Sequence, residues 1–366
     1  MRNRRTTTSV LIAATVLTAT VSSLPAAATP ASTAPYTCPT GVAAAMTTVN
    51  DYWLAHNSHP TGLDWTTGAY FTGDMAAARA LNSQQYQSYA ANWANSVHFA
   101  LKGGPSDTNA NDQAVGQTYI ELYQQNPSQS SDIAQIKQSV ASMVNSSKVN
   151  DWFWIDALFM AMPDFAKLGA LTNTQADFTK MYAEFQNTQH GLYNAGKGLW
   201  WRDKSFTGKN IYWSRGNGWV AAALARVLDV LPANDSHRAT YVQTLQSMAA
   251  ALRAAQQPSG FWYVNLGDPT QYPGPETSGT AFFTYALAWG ITNGILDAAT
   301  YGPVVTKAWN AMASTSVQSS GALGYVQGTG TSPSSAQPVT AKSTGSYGVG
   351  AFLLAGSELI KMGCSA

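Results

Sequence analysis

The stretch ETSGTAFFTYALAWGI, Glu276 to Ile291, decides the fold. After one carboxylate, two hydroxyls and a glycine it carries no charge, and small and aromatic side chains cover every face of the helix that its spacing predicts. A helix that is apolar all round is a buried one. Five more stretches share the plan of a polar or glycine-rich start followed by small and apolar residues. They are WTTGAYFTGDMAAARAL from Trp65, DQAVGQTYIELY from Asp112, WIDALFMAMPDFAKLG from Trp154, SRGNGWVAAALARVLDVL from Ser214 and TGSYGVGAFLLAGSELI from Thr344. Between them lie helices with one charged and one apolar face, such as SQQYQSYAANWANSVHFAL from Ser83 and SHRATYVQTLQSMAAALRAA from Ser236. Many of these open on Ser, Thr or Asn, as N-caps do.

With a helix from about Thr40 to Ala55 and another from Tyr301 to Val317, the count is about twelve helices in six hairpins. Buried inner and solvated outer helices close naturally as an all-α fold, an (α/α)6 barrel. A linear helical solenoid is the alternative, but it needs polar capping repeats and a tighter period. If the inner helices all run one way, their polar starts converge on one mouth of the ring, where helix N-termini carry partial positive charge. The Ser/Thr/Gly-rich stretch from Gly328 to Ser346 reads as a long loop before the last inner helix.

The 366 residues are 45% hydrophobic and 11% charged, enough to bury a large core. Residues 1–28 read as a secretory signal: Arg2, Arg4 and Arg5, an apolar run from Val10 to Thr18, and Ala26-Ala27-Ala28 as the cut site. The expectation is a secreted protein with residues 29–366 as a single barrel domain and no membrane anchor. Of 20 Lys and Arg that segment holds three, leaving 17 against 19 Asp and Glu, a formal charge of −2. Such a chain has no electrostatic footprint for nucleic acid. Cys38 and Cys364 stand near opposite ends, and in an exported protein a bridge between them is the natural reading, with free thiols the alternative. No Cys or His spacing suggests a metal, and no nucleotide loop or nucleophile motif calls for a cofactor.

Two carboxylates stand out. Asp156 in WFWIDALFM, read as one continuous helix, shares a face with Trp152, Phe153, Phe159 and Met160, and an unpaired carboxylate on such a face needs a partner or a job. Asp112 lies 44 residues earlier, about one hairpin, so both acids are expected at the same mouth. The bland readings are a buried ion pair for Asp156 and a simple N-cap for Asp112. In IYWSRGNGWV, Arg215 has the geometry to grip a carboxylate, or to serve as the buried partner of Asp156 or Glu276. Tryptophans cluster near the helix starts, among them Trp65, Trp154, Trp201, Trp213 and Trp219, and indole faces stack on sugar rings. Paired acids beside aromatics point to acid/base chemistry on a carbohydrate.

Taken in order, Asp112 in NDQAVGQTYIELY, Asp156 in WIDALFMAMPDFAKLG, SRGNGWV, ETSGTAFFTYALAWGI and YGVGAFLLAGSE resemble the unsaturated uronyl hydrolases of glycoside hydrolase family 105, with family 88 a more distant relative. The likeness runs from about Trp53 to Ile360 and implies a six-hairpin barrel. It implies removal of a 4,5-unsaturated uronic acid from the non-reducing end of lyase-generated oligosaccharides, by hydration of the enol-ether double bond. Asp156 would then be the general acid and base, and Asp112 its assistant. Trp154, Trp213 and Trp219 would line the unsaturated ring, with Arg215 as a polar contact. Where many members carry a histidine, this chain reads GLWWRDKSF, with Trp201 or Arg202 in its place. A non-catalytic carbohydrate-binding barrel and a conventional glycosidase on the same barrel are the rival readings.

Overall fold

A computed structural model describes residues 36–364, which lie within one compact unit. The segment read as a secretory signal lies outside the described residues. Six helices form the inner ring: α2 (Trp65–Ala80), α5 (Gly116–Gln125), α7 (Asp156–Thr172), α9 (Ser214–Val230), α11 (Thr277–Thr292) and α13 (Ser346–Lys361). Each packs on the next, and α13 returns to α2, so the ring is closed. Outside lie α1 (Val42–His56), α3 (Gln84–Ser96), α6 (Ala134–Val144), α8 (Gln175–Leu192), α10 (Arg238–Ala255) and α12 (Ala298–Ala311). A one-turn helix α4 (Ala110–Gln113) precedes α5, and strands β1 (Tyr193–Asn194) and β2 (Leu199–Trp200) form one short antiparallel hairpin. This is the all-α (α/α)6 barrel that the repeat predicts. Among the described residues no helix is long and apolar enough to cross a membrane.

The small residues of the inner stretches serve close packing. A Cβ on Gly73 of α2 would fall 2.1 Å from the carbonyl oxygen of Gly350, and one on Gly350 of α13 would fall 2.1 Å from that of Ala69. First and last inner helices therefore meet backbone to backbone. Helix starts are capped as their sequences suggest at Asp64, which accepts from the Thr66 and Thr67 N–H groups, and at Glu276, which accepts from Ser278 and Gly279.

A disulfide joins Cys38 to Cys364, with Cα atoms 5.2 Å apart, and ties the segment before α1 to the end of α13. Replacing both cysteines by serine should cost about 2 to 4 kcal/mol. An unchanged denaturation midpoint would show that the helix contacts alone close the ring.

Inside α2, Asp74 is buried among Asn50, which donates to its Oδ1 at 2.8 Å, and Tyr70, while its Oδ2 has no partner. Burial pushes this carboxyl up to about 8, against the hydrogen bonds from Asn50 and Tyr70 that lower it. The native state then keeps its proton to higher pH than the unfolded chain does. This contribution is complete below the unfolded value near 4 and is lost as pH rises through about 8, at up to about 1.4 kcal/mol per unit. Asp74→Asn, which mimics the protonated acid, should flatten the decline of melting temperature between pH 5 and 8, because this site then exchanges no proton on unfolding. A decline of equal steepness in both proteins would assign it to another group.

Candidate active site

The starts of all six inner helices face one mouth, and the loops between hairpins build its walls. The chain from Asp151 to Ile155 is not helical, which corrects the reading of WFWIDALFM as one helix. Its backbone is committed elsewhere. The Asp151 N–H donates to Glu184 at 3.0 Å, Trp154 forms a bridge with Asp203, and the Ile155 N–H donates to the Arg202 carbonyl at 3.0 Å. Helix α7 therefore begins at Asp156 itself rather than a turn earlier. Trp152 is sealed in the core against Phe165, whereas Phe153 points out.

At the N-terminus of α7, Asp156 is partly open to solvent while its Oδ1 is enclosed and has no hydrogen-bond partner. Burial pushes the carboxyl above its ordinary range, the nearby Arg202 and Arg215 guanidinium groups hold it down, and Asp203 adds to the rise. An acid poised in this way can give up a proton and take it back.

Asp112 lies in α4, where the cap is Asn109, not Asp112. Burial pushes its carboxyl up to about 6, helped by a hydrogen bond and charge from Asp107 and opposed by Lys102. Asp107 is thus a close acidic neighbour of Asp112, whereas Arg202, Arg215 and Asp203 are the charges that act on Asp156.

Arg215 is only 3% exposed. It pairs neither with Asp156 nor with Glu276: its Nη1 donates to the Gln327 carbonyl at 2.5 Å and its Nη2 to that of Gly328 at 3.1 Å, between the rings of Trp213 and Tyr347. Gln327 is the hub of that wall. It accepts from Trp213 Nε1 at 2.8 Å and donates from its backbone to Glu276, while Tyr347 also donates to its carbonyl. The loop from Val317 to Gly345 is thereby fastened over the starts of α9, α11 and α13.

Asn217, inside the RGNG motif, accepts from the Trp200 N–H at 2.8 Å and donates to the Trp200 and Trp213 carbonyls. That clamp sets the β1–β2 hairpin against α9 and brings Arg202 to the mouth. Gly216 and Gly218 serve helix packing, against Ile155 and Phe282 respectively. Arg202 pairs with Asp203 at 2.6 Å, and its Nε is buried without a partner.

Of the tryptophans, Trp213 and Trp219 are almost wholly buried; Trp219 packs on Phe159 and Phe282 as a floor, with Trp65 edge-on at 6.0 Å. Trp201 lies over Tyr212 and donates to the Lys209 carbonyl at 2.7 Å. Trp154 reaches an open cavity of about 440 Å³, lined also by Asp107, Asn109, Asn111, Phe153 and Arg202. Sequence reading passed over Asp107, Asn217 and Gln327. Only the Asn/Asp-rich run PSDTNAND, which ends on Asp112, carried a signal for one of them.

A closed ring of helical hairpins with a carboxyl raised by burial beside tryptophans at its mouth is the architecture of an α/α-barrel hydrolase of carbohydrates. The chain belongs to glycosyl hydrolase family 88, whose family model matches residues 41–363, and it is a glycosidase. It is 33% identical over 331 residues to the unsaturated 3S-rhamnoglycuronyl hydrolase of Formosa agariphila, covering 82% of this chain and 85% of that protein. A solved structure of a family 88 glycosyl hydrolase from Bacteroides vulgatus is 34% identical with a TM-score of 0.82, over 87% of this chain and 98% of the other. Another, described as a polysaccharide lyase, is also 34% identical with a TM-score of 0.82, over 88% and 97%.

Proposed function

We propose that the protein removes a 4,5-unsaturated uronic acid from the non-reducing end of oligosaccharides by adding water across the double bond. The observation that carries this reading is Asp156, a carboxyl raised by burial, with one oxygen free of partners, at the mouth of a family 88 barrel. The name of the Formosa agariphila relative supports the same substrate class.

Asp156 gives its proton to C4, water adds its oxygen to C5, and the proton of that water returns to Asp156. The hemiketal so formed opens and releases the remaining sugar. Arg202, whose side chain lines the cavity, holds the uronate carboxylate. Arg215 holds the loop that carries Gln327, and through its charge it keeps Asp156 from rising further. Asp112, with Asp107, binds ring hydroxyls. The protein acts outside the cell, on fragments left by lyases.

The test is optical. Incubated with lyase-generated oligosaccharides, the enzyme should abolish the ultraviolet absorbance of the conjugated double bond. A rise in absorbance on intact polysaccharide would instead identify a lyase, the reading that the second solved structure favours. No change on any unsaturated uronate would sink the proposal.

A further inference from the structure

Among the described residues, Phe153 is the most exposed large apolar side chain, 66% open, between a sealed Trp152 and a nearly sealed Trp154. An aromatic ring left in water three positions from the reacting carboxyl calls for something to cover it. Its ring meets that of Trp154 at 4.5 Å with planes inclined by 53°, and both line the cavity with Asp107, Asn109 and Asn111.

The loop that presents Phe153 is held in place from α8. Lys180 donates to the carbonyls of Ser146 and Lys148 and pairs with Glu184 at 3.3 Å. Glu184 in turn accepts from the Asp151 N–H, and Thr188 donates to the Trp152 carbonyl. These anchors grip the backbone on the approach to Phe153, so the ring stands in the cavity at little further entropic cost on binding. Beyond Arg202, which the uronate occupies, the rim offers no spare positive charge: Lys148 is paired with Asp151 at 2.6 Å, and Asp107 adds a carboxylate.

We infer that Phe153, backed by Trp154, is the stacking platform for the sugar that follows the uronate, and that this sugar is an uncharged pyranose presenting a C–H face. The inference rests on the unsaturated-uronyl reading above. Asn109 and Asn111 supply hydrogen bonds to its hydroxyls, and the phenyl face supplies the contact area.

The experiment compares kcat/KM on three substrates: an unsaturated disaccharide with a neutral second ring, the same disaccharide sulfated on that ring, and the methyl glycoside of the unsaturated uronate. The full-length enzyme should prefer the neutral disaccharide to both others. Phe153→Ala should shrink its preference over the methyl glycoside by about tenfold, mainly through KM, and Phe153→Trp should keep it. An unchanged preference in Phe153→Ala, or faster turnover of the sulfated disaccharide, overturns the inference. Failure of the parent enzyme on all three overturns the unsaturated-uronyl reading and the inference with it, whereas turnover with an unchanged ratio removes the inference alone.

Discussion

An Asp156→Asn enzyme bleaches unsaturated uronyl oligosaccharides about a thousandfold more slowly than its parent while keeping its fold, since general acid–base groups contribute about 10² to 10⁴. The amide keeps the shape and cannot transfer the proton. Asp156 stands at the first residue of α7, where its Oδ1 already lacks a partner, so the substitution removes no side-chain hydrogen bond from that atom. Circular dichroism and melting temperature check the fold, and the ultraviolet trace checks the chemistry. A variant with full activity would make Asp156 a structural residue. The parent's own rate should fall at high pH as Asp156 loses its proton, and its acid limb should reflect Asp112, whose carboxyl is raised to about 6.

Glu121→Gln should unfold the protein far more easily, by about 3 to 5 kcal/mol, without altering the chemistry of the molecules that remain folded. Glu121 lies toward the opposite end of the ring, where Arg79 meets its Oε2 at 2.7 Å and Lys167 and Arg226 meet its Oε1 at 2.7 and 3.0 Å. Burial alone would raise its pKa, but Lys167, Arg79 and Arg226 together hold it well below the usual carboxylate range. Removing that one negative charge leaves two nearly buried cations, Lys167 and Arg226, facing each other. Urea titration should give a lower midpoint with an unchanged slope. A shift below about 1 kcal/mol would mean that water entering the neighbouring cavity of about 470 Å³ solvates the cations instead.

The ring was legible because its signal is local. Stretches such as Glu276–Ile291 are apolar on every side, and that alone separates inner from outer helices. Helix starts at the mouth were not legible, because distant residues decide them. Nothing within WFWIDALFM says that Glu184 and Arg202 will claim its backbone and delay the helix to Asp156, so Phe153 was placed on a buried face. The buried partners of Arg215 were hidden for the same reason. Its carbonyl partners at Gln327 and Gly328 lie more than 110 positions away, in a loop whose composition carries no address. One-hairpin spacing fixes which helices carry the two candidate acids as neighbours, but it does not say that Asp107 is the acid beside Asp112.

The meeting of Gly73 with Gly350 bears on how the molecule is assembled. The face of α2 that receives α13 is made early in synthesis and stays without its partner until almost the whole chain exists. Each earlier hairpin can dock on its predecessor as it emerges, but the seam pairs the most distant parts of the sequence and must wait. Such long-range pairing slows folding, and an unfinished arc would expose its two apolar flanks to other chains. The seam is therefore where a truncated or stalled chain should aggregate.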